Sequence, residues 1–140
     1  MLRTMVSAKI HRATVTQAEL NYVGSLTIDA ELMEICDILP NEQVHIVNVT
    51  NGHRMVTYAI VGERGSGVMC LNGAAARHGQ KGDIIIVMTF AHFSDQEARN
   101  QTPKVVVVDE NNRPAQILHE KHGQMLDGAG TPISSDSHVF

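Results

Sequence analysis

Gly24-Ser25 is a residue pair with a chemistry of its own. A serine hydroxyl can attack the carbonyl carbon of the residue before it through a five-membered ring. Glycine on the acyl side leaves that carbonyl sterically open and lets the backbone strain toward the attack geometry. The peptide bond becomes an ester, elimination turns the serine into dehydroalanine, and hydrolysis leaves a pyruvoyl group at a new N-terminus. Such a step needs a donor aimed at the scissile carbonyl, by the logic of an oxyanion hole. The plain alternative for a Gly-Ser pair in a strand-like stretch is a β-bulge or a tight bend.

Three further stretches could serve such a centre. In Arg54-Met55-Val56-Thr57-Tyr58, the guanidinium can grip a carboxylate bidentately, and a phenol can donate a proton. Strict alternation puts Arg54, Val56 and Tyr58 on one face with Met55 and Thr57 on the other. A bulge or a curved strand would be needed for Thr57 and Tyr58 to serve one site. Asn72-Gly73-Ala74-Ala75 can open a short helix, whose free N–H groups and small side chains would let an anion approach the backbone. Lys9 and His11 alternate on one strand face and could add positive charge. Other motifs carry less. Gly62–Gly67, GERGSG, lacks the ending of a phosphate loop and reads as a turn. His119-x-x-His122 has helical spacing but no clear third ligand, so no metal site is expected.

The elements that must hold these residues are mostly strands. β-like runs fall at Val6–His11, Tyr22–Ile28, Val44–Thr50, Met55–Val61, Val68–Leu71, Ile84–Phe90, Lys104–Asp109 and Ala115–Leu118. Gly24-Ser25 interrupts the second of them, where a glycine loses backbone entropy and packs nothing. Asn51-Gly52 marks a hairpin whose loop extends to His53 and Arg54. Helical signals are short. Thr16-x-x-Glu19 has the form of a capping box. Asp29 caps Ala30–Ile38, which Pro40 closes; Asn72 caps Ala74–His78, which Gly79 ends; Ser94–Asn100 makes about one turn. Short strands joined by brief helices predict a compact, closed β-barrel. From about His119 the strand pattern stops, and residues 119–140 read as a polar, flexible tail.

Composition narrows the class. One domain of 140 residues can bury a core without staples. Without tryptophan and with aromatics at only 4%, that core must be aliphatic. A net charge of -4 with no basic cluster argues against nucleic acid. No apolar run reaches the length of a membrane span, and the cationic N-terminus lacks the apolar stretch of a signal peptide. Cys36 and Cys70 sit among apolar neighbours and read as reduced core thiols, so a cytoplasmic location is expected. From the residues alone, two other classes stay open. One is a hydrolase with Ser25 as nucleophile and His11 as the sequence-local base; the other is a non-catalytic β-barrel that binds a ligand or partner.

Several separated motifs together closely resemble the pyruvoyl-dependent aspartate 1-decarboxylase family. They are Met1–Met5 with Lys9–Thr16, Tyr22-Val23-Gly24-Ser25, Ile28-Asp29, Arg54 with Thr57-Tyr58-Ala59, Gly62–Gly67, Asn72–Ala76 and Gly82-Asp83, in matching order and spacing across residues 1–115. The resemblance implies a six-stranded double-psi β-barrel with short helices over 1–118, assembled as a homotetramer with active sites between subunits. It implies self-cleavage between Gly24 and Ser25 into a β chain 1–24 and an α chain 25–140, the latter beginning with a pyruvoyl group made from Ser25. No metal and no pyridoxal phosphate are implied. Thr57 would assist processing and contact substrate, and Tyr58 would donate the proton. Gly73, Ala74 and Ala75 would bind substrate, with Lys9, Tyr22, Arg54 and Asn72 lining the pocket. The reaction implied is decarboxylation of L-aspartate to β-alanine for pantothenate biosynthesis. No departure appears at these positions.

Overall fold

A computed structural model describes residues 1–119. The chain runs β1 (Leu2–Thr14), β2 (Gln17–Glu19), β3 (Ser25–Asp29), α1 (Ala30–Cys36), β4 (Gln43–Asn48), β5 (Arg54–Gly62), β6 (Met69–Asn72), a 3-10 segment (Gly73–His78), β7 (Ile84–Ser94), α2 (Asp95–Asn100), β8 (Lys104–Val108) and β9 (Pro114–His119). The fold is mainly β, as expected. Its strands form one mixed sheet in the order β2-β6-β3-β5-β4-β7-β1-β8-β9. The β1–β8, β2–β6 and β3–β5 pairs are parallel and the rest antiparallel. The sheet counts nine strands, where six closing on themselves were expected, and β2 and β9 stand at its ends. Residue 119 ends β9, while His122 and the rest of the expected tail, residues 120–140, lie outside the described residues.

The run Tyr22–Ile28 is a strand only from Ser25; Tyr22 to Gly24 form a bend. The cause lies in the neighbours. β6 pairs with β3 up to Ser25↔Asn72 and then turns into the 3-10 segment, while β5 joins β3 at Leu26↔Ala59. Residues before Ser25 therefore have no ladder to join. Thr16-x-x-Glu19 caps no helix: Gln17–Glu19 is β2, parallel to β6, and the Thr16 hydroxyl accepts from the Met69 N–H at 2.9 Å. β1 outgrows the expected Val6–His11 because β7 pairs with it from Leu2 to Thr14. Its register shifts twice, and Arg12 takes a left-handed conformation in the second shift. Asp29 caps α1 as expected, its carboxylate accepting from the Glu31 N–H at 2.8 Å, although a left-handed Asp37 ends the helix before Pro40. Ser94 and Glu97 complete a capping box on α2.

Alternation along the strands fills an aliphatic core with Ile10, Leu26, Ile28, Val44, Met69, Leu71, Ile85, Val87 and Val106, and α1 adds Leu32. Cys36 belongs to it, and burial pushes its thiol up to about 12. Cys70 is likewise a free, buried thiol, although it stands outside this main cluster.

The turn GERGSG wraps a buried carboxylate. Asp29 is 1% exposed. Its Oδ1 accepts from the N–H groups of Glu31 and Gly65, the latter at 3.0 Å, and its Oδ2 from Gly67 at 2.8 Å. Arg113 stands 3.8 Å from Oδ2 and also pairs with Glu31. Gly67 has φ +72°, and a Cβ there would collide with the Asn111 carbonyl. Burial alone would raise the Asp29 pKa. The N–H donors of Gly67, Gly65 and Glu31, with Arg113, outweigh it and hold the carboxyl below its ordinary value. A group with a depressed folded pKa contributes stability above its unfolded pKa, and that contribution is lost as pH falls through the folded one. Asp29→Ala should therefore cost about 2–4 kcal/mol at neutral pH. In urea unfolding followed against pH, its gap from the unsubstituted chain should narrow below the ordinary carboxylate range.

Candidate functional site

Period-two alternation and the β3–β6 register place four polar side chains on one sheet face. Ser25 faces Asn72 and Thr27 faces Cys70, while Leu26, Ile28, Met69 and Leu71 go to the core. The Asn72 amide joins all four. Its Nδ2 donates to Ser25 Oγ at 3.0 Å and to Thr27 Oγ1 at 2.8 Å; its Oδ1 accepts from Cys70 Sγ at 3.2 Å. The Ser25 hydroxyl donates to the Val23 carbonyl over a long 3.4 Å and is fully buried. Asn72 thus spends its side chain on the serine and makes no cap bond to the following 3-10 segment, contrary to expectation. Burial, with a smaller contribution from Glu19, raises the Cys70 pKa, so the thiol keeps its proton and its role as donor.

The 3-10 segment lays its backbone against the Gly24-Ser25 bond. Gly73 has φ +60°, and a Cβ there would lie 2.6 Å from the Tyr22 carbonyl oxygen and 2.7 Å from Gly24 Cα. Only glycine permits that approach. Gly24 is under no such demand. Its φ is not in the left-handed region, and a Cβ on it would meet Asn72 O and Ala74 N at an ordinary 3.8 Å. Ala75 is buried beneath the segment and Ala74 is exposed. The far end is pinned where the Asn48 amide donates to the His78 carbonyl at 3.1 Å and to Asp83 at 2.9 Å.

Strand β5 brings Tyr58 to the level of Ser25. It pairs with β4 from Arg54 to Tyr58, then with β3 from Ala59, one residue after the Ser25 level. Neither ladder contains a register shift, so no bulge rescues the alternation. Yet the exposed-to-half-buried alternation breaks at Thr57-Tyr58, where both side chains are half-buried and the strand changes partner. Tyr22 is 63% exposed beside the buried serine.

Arg54 and Lys9 stand away from Ser25 along the sheet. Arg54 is exposed at the β4 end of β5, in a shallow hollow with His45, Ile46, Met55 and Val56. Lys9 is half-buried on β1, which β5, β4 and β7 separate from β3 in the sheet. His11 lies on the same strand. Ser25 Oγ donates to the Val23 carbonyl and accepts from the Asn72 amide. Among the described residues, no group of three or more His, Cys, Asp or Glu side chains could hold a metal.

Thr27 and Cys70 were missed in the sequence. The available signal was the spacing: Ser25-x-Thr27 and Cys70-x-Asn72 are both polar pairs at period two. The packing of Gly73 generates a test. Gly73→Ala should push residues 22–24 away from the 3-10 segment and slow any chain cleavage at Gly24-Ser25 by about tenfold or more. Intact-mass time courses measure this.

The sequence model of one family, described as aspartate decarboxylase, matches residues 1–115. A protein named Aspartate 1-decarboxylase from Listeria monocytogenes serovar 1/2a (strain ATCC BAA-679 / EGD-e) is 60% identical over 121 residues, covering 86% of this chain and 95% of the relative. Another of that name from Staphylococcus aureus (strain JH9) is 54% identical over 126 residues, covering 90% and 99%.

Proposed function

The chain belongs to the aspartate decarboxylase family, and from that premise we propose that it is a self-processing aspartate 1-decarboxylase. It converts L-aspartate to β-alanine and CO₂ with a pyruvoyl group made from Ser25, and so serves pantothenate biosynthesis in the cytoplasm. The observation that carries the reading is the Gly24-Ser25 bond at a fully buried serine, with Asn72 Nδ2 on the serine oxygen and the Gly73 backbone packed against the acyl side.

Self-processing uses the chain's own atoms. Ser25 Oγ attacks the Gly24 carbonyl carbon, the C–N bond breaks, and the serine nitrogen takes up the hydroxyl proton. Thr57 steadies the oxyanion. The new ester oxygen is the former Oγ, so the Asn72 N–H already sits where negative charge gathers when elimination breaks the Cβ–Oγ bond and removes Hα. Gly24 leaves as a carboxylate. Water then replaces the nitrogen of the dehydroalanine as ammonia, leaving residues 25–140 with a blocked N-terminus and residues 1–24 as a second chain. The residues present fit this group: the serine is positioned by a donor, and the burial that excludes water protects the ester from premature hydrolysis.

The pyruvoyl ketone supplies an acceptor that condenses with the substrate amine and takes up the electrons released with CO₂. The protein's residues do the rest. Arg54 and Lys9 attract and orient the aspartate carboxylates, and Gly73, Ala74 and Ala75 offer backbone N–H groups with little side-chain obstruction. Asn72 and Tyr22 line the pocket. Tyr58, at the level of Ser25, returns the proton to Cα. Arg54 and Lys9 lie apart from Ser25 within one protomer, which supports a homotetramer with each site completed by a neighbouring subunit. Exposed Tyr22, Val23 and Val56 supply apolar surface for such contacts. The six-stranded double-psi barrel over 1–118 is proposed as the core of the nine-stranded sheet, on the strength of its parallel β1–β8 and β3–β5 pairs.

Two variants separate the chemical steps. Ser25→Ala should remain one intact chain with no decarboxylation, whereas the unsubstituted chain should give fragments 1–24 and 25–140 by mass. A cleaved or active Ser25→Ala protein overturns the reading. Tyr58→Phe should mature normally and then lose about 10²-fold or more in kcat, measured as β-alanine formed per mature site; normal turnover would remove Tyr58 as the proton donor.

A further inference from the structure

The Asn72 amide has two orientations that would satisfy its neighbours almost equally. In one, the NH₂ faces Ser25 and Thr27 and the carbonyl faces Cys70. In the other the amide is turned over, and the two hydroxyls donate to its carbonyl oxygen. Hydroxyls can donate or accept, so Ser25 and Thr27 do not decide between the two. They differ at the fourth corner. A thiol is a usable donor but a poor acceptor, so an amide carbonyl beside Cys70 keeps a partner that an NH₂ group would lose.

The geometry points to Cys70 as a positioning residue for self-processing. Its thiol, donating to Asn72 Oδ1 at 3.2 Å, fixes the amide so that Nδ2 presents an N–H to Ser25 Oγ. This rests on the self-cleavage reading and extends it to a residue outside the reacting atoms. The serine oxygen is then held by a donor and keeps its own proton aimed at the Val23 carbonyl. Turned over, the amide would take the Ser25 proton itself and leave the oxygen without a donor when charge develops on it.

Other observations agree with this role. Cys70 lies directly opposite Thr27, two residues before Asn72, so backbone register delivers the sulfur to the amide without side-chain searching. It is buried yet outside the main aliphatic cluster, with its sulfur on the polar face beside Asn72. Its other acceptor, the Leu71 carbonyl, is farther off at 4.0 Å. Burial keeps the thiol protonated and able to donate.

The test uses the full chain made by cell-free synthesis, with cleavage at Gly24-Ser25 followed by intact mass. Cys70→Ala and the nearly isosteric Cys70→Val should both mature about tenfold more slowly, the loss expected for one ordinary hydrogen bond. Cys70→Ser, which restores a donor, should mature within about threefold of the unsubstituted chain. Melting temperatures of the three variants, measured with Ser25→Ala to prevent cleavage, report folding separately. Should Cys70→Ala fail to fold, the Val and Ser pair still decides the matter. Two results overturn the proposal: Ala and Val variants that mature at the unsubstituted rate, or a Ser variant as slow as they are. An unsubstituted chain that never cleaves would instead refute the self-processing reading beneath it.

Discussion

The antiparallel register that sets Ser25 opposite Asn72 is the constraint on which the site depends. Side chains alternate along a strand with period two, so a slip of one residue would turn Ser25 and Thr27 into the core and bring Leu26 to the polar face. The register is guarded by what it buries. Leu26, Ile28, Met69 and Leu71 interleave on the far side of the same two strands, all nearly without exposure. Hydrophobic burial thereby fixes a polar geometry that no single hydrogen bond could fix. The same register ends at Asn72, and there Gly73 turns the chain back over the Tyr22–Gly24 bend. One pairing delivers the donor, the nucleophile and the backbone wall.

Three buried polar clusters hold the ends of these strands. Asp29 gathers the GERGSG turn onto the C-terminal end of β3. Asn112 fixes the β8–β9 turn to the end of β1 and to Gly67, donating to the carbonyls of Thr14 and Gly67 at 2.8 Å and accepting from the Thr14 N–H at 2.7 Å. Asn48 and Asp83 pin the far end of the 3-10 segment. A buried carboxylate or amide left unpaired is costly, so each cluster tolerates one arrangement of its backbone partners. The short site strands owe their definition to these clusters as much as to their own ladders.

The sequence made much of this legible, for reasons that differ by element. Asp29 and Ser94 announce helix starts by chemistry local to a few residues, and both cap as expected. The Asn-Gly hairpin is equally local. Thr16-x-x-Glu19 misleads because its competing partner, the Met69 backbone, is 53 positions away. Tyr22–Gly24 has strand-forming residues and no strand to pair with, a fact that depends on where β6 stops. Gly24 drew attention as a misplaced glycine, yet the uncleaved fold asks nothing special of it. At the site the glycine held by geometry is Gly73, which the sequence offered as a helix start and an anion-binding backbone. Cys70 stands among apolar sequence neighbours, and only pairing with β3 brings its thiol to the polar face beside Asn72.

Burial of Ser25 carries the last step. Its exposure is 0%, against 63% for Tyr22 and 67% for Val23 just before it. A nucleophile for an external substrate cannot be closed off in this way, whereas one that attacks the preceding residue needs no space beyond its own five-membered ring. On the self-processing reading, the precursor is therefore organised for the intramolecular reaction, and aspartate is a later requirement. Cleavage removes the covalent tie between the exposed Tyr22–Gly24 bend and the buried strand. The carbon that bore the hydroxyl then lies beside the Gly73 backbone and at the level of Tyr58, while the cations that would attract a dianion remain elsewhere on the same protomer. On the reading that a neighbouring subunit completes the site, assembly and maturation are two conditions on it: the first would supply the charge, and the second would open the atom it serves.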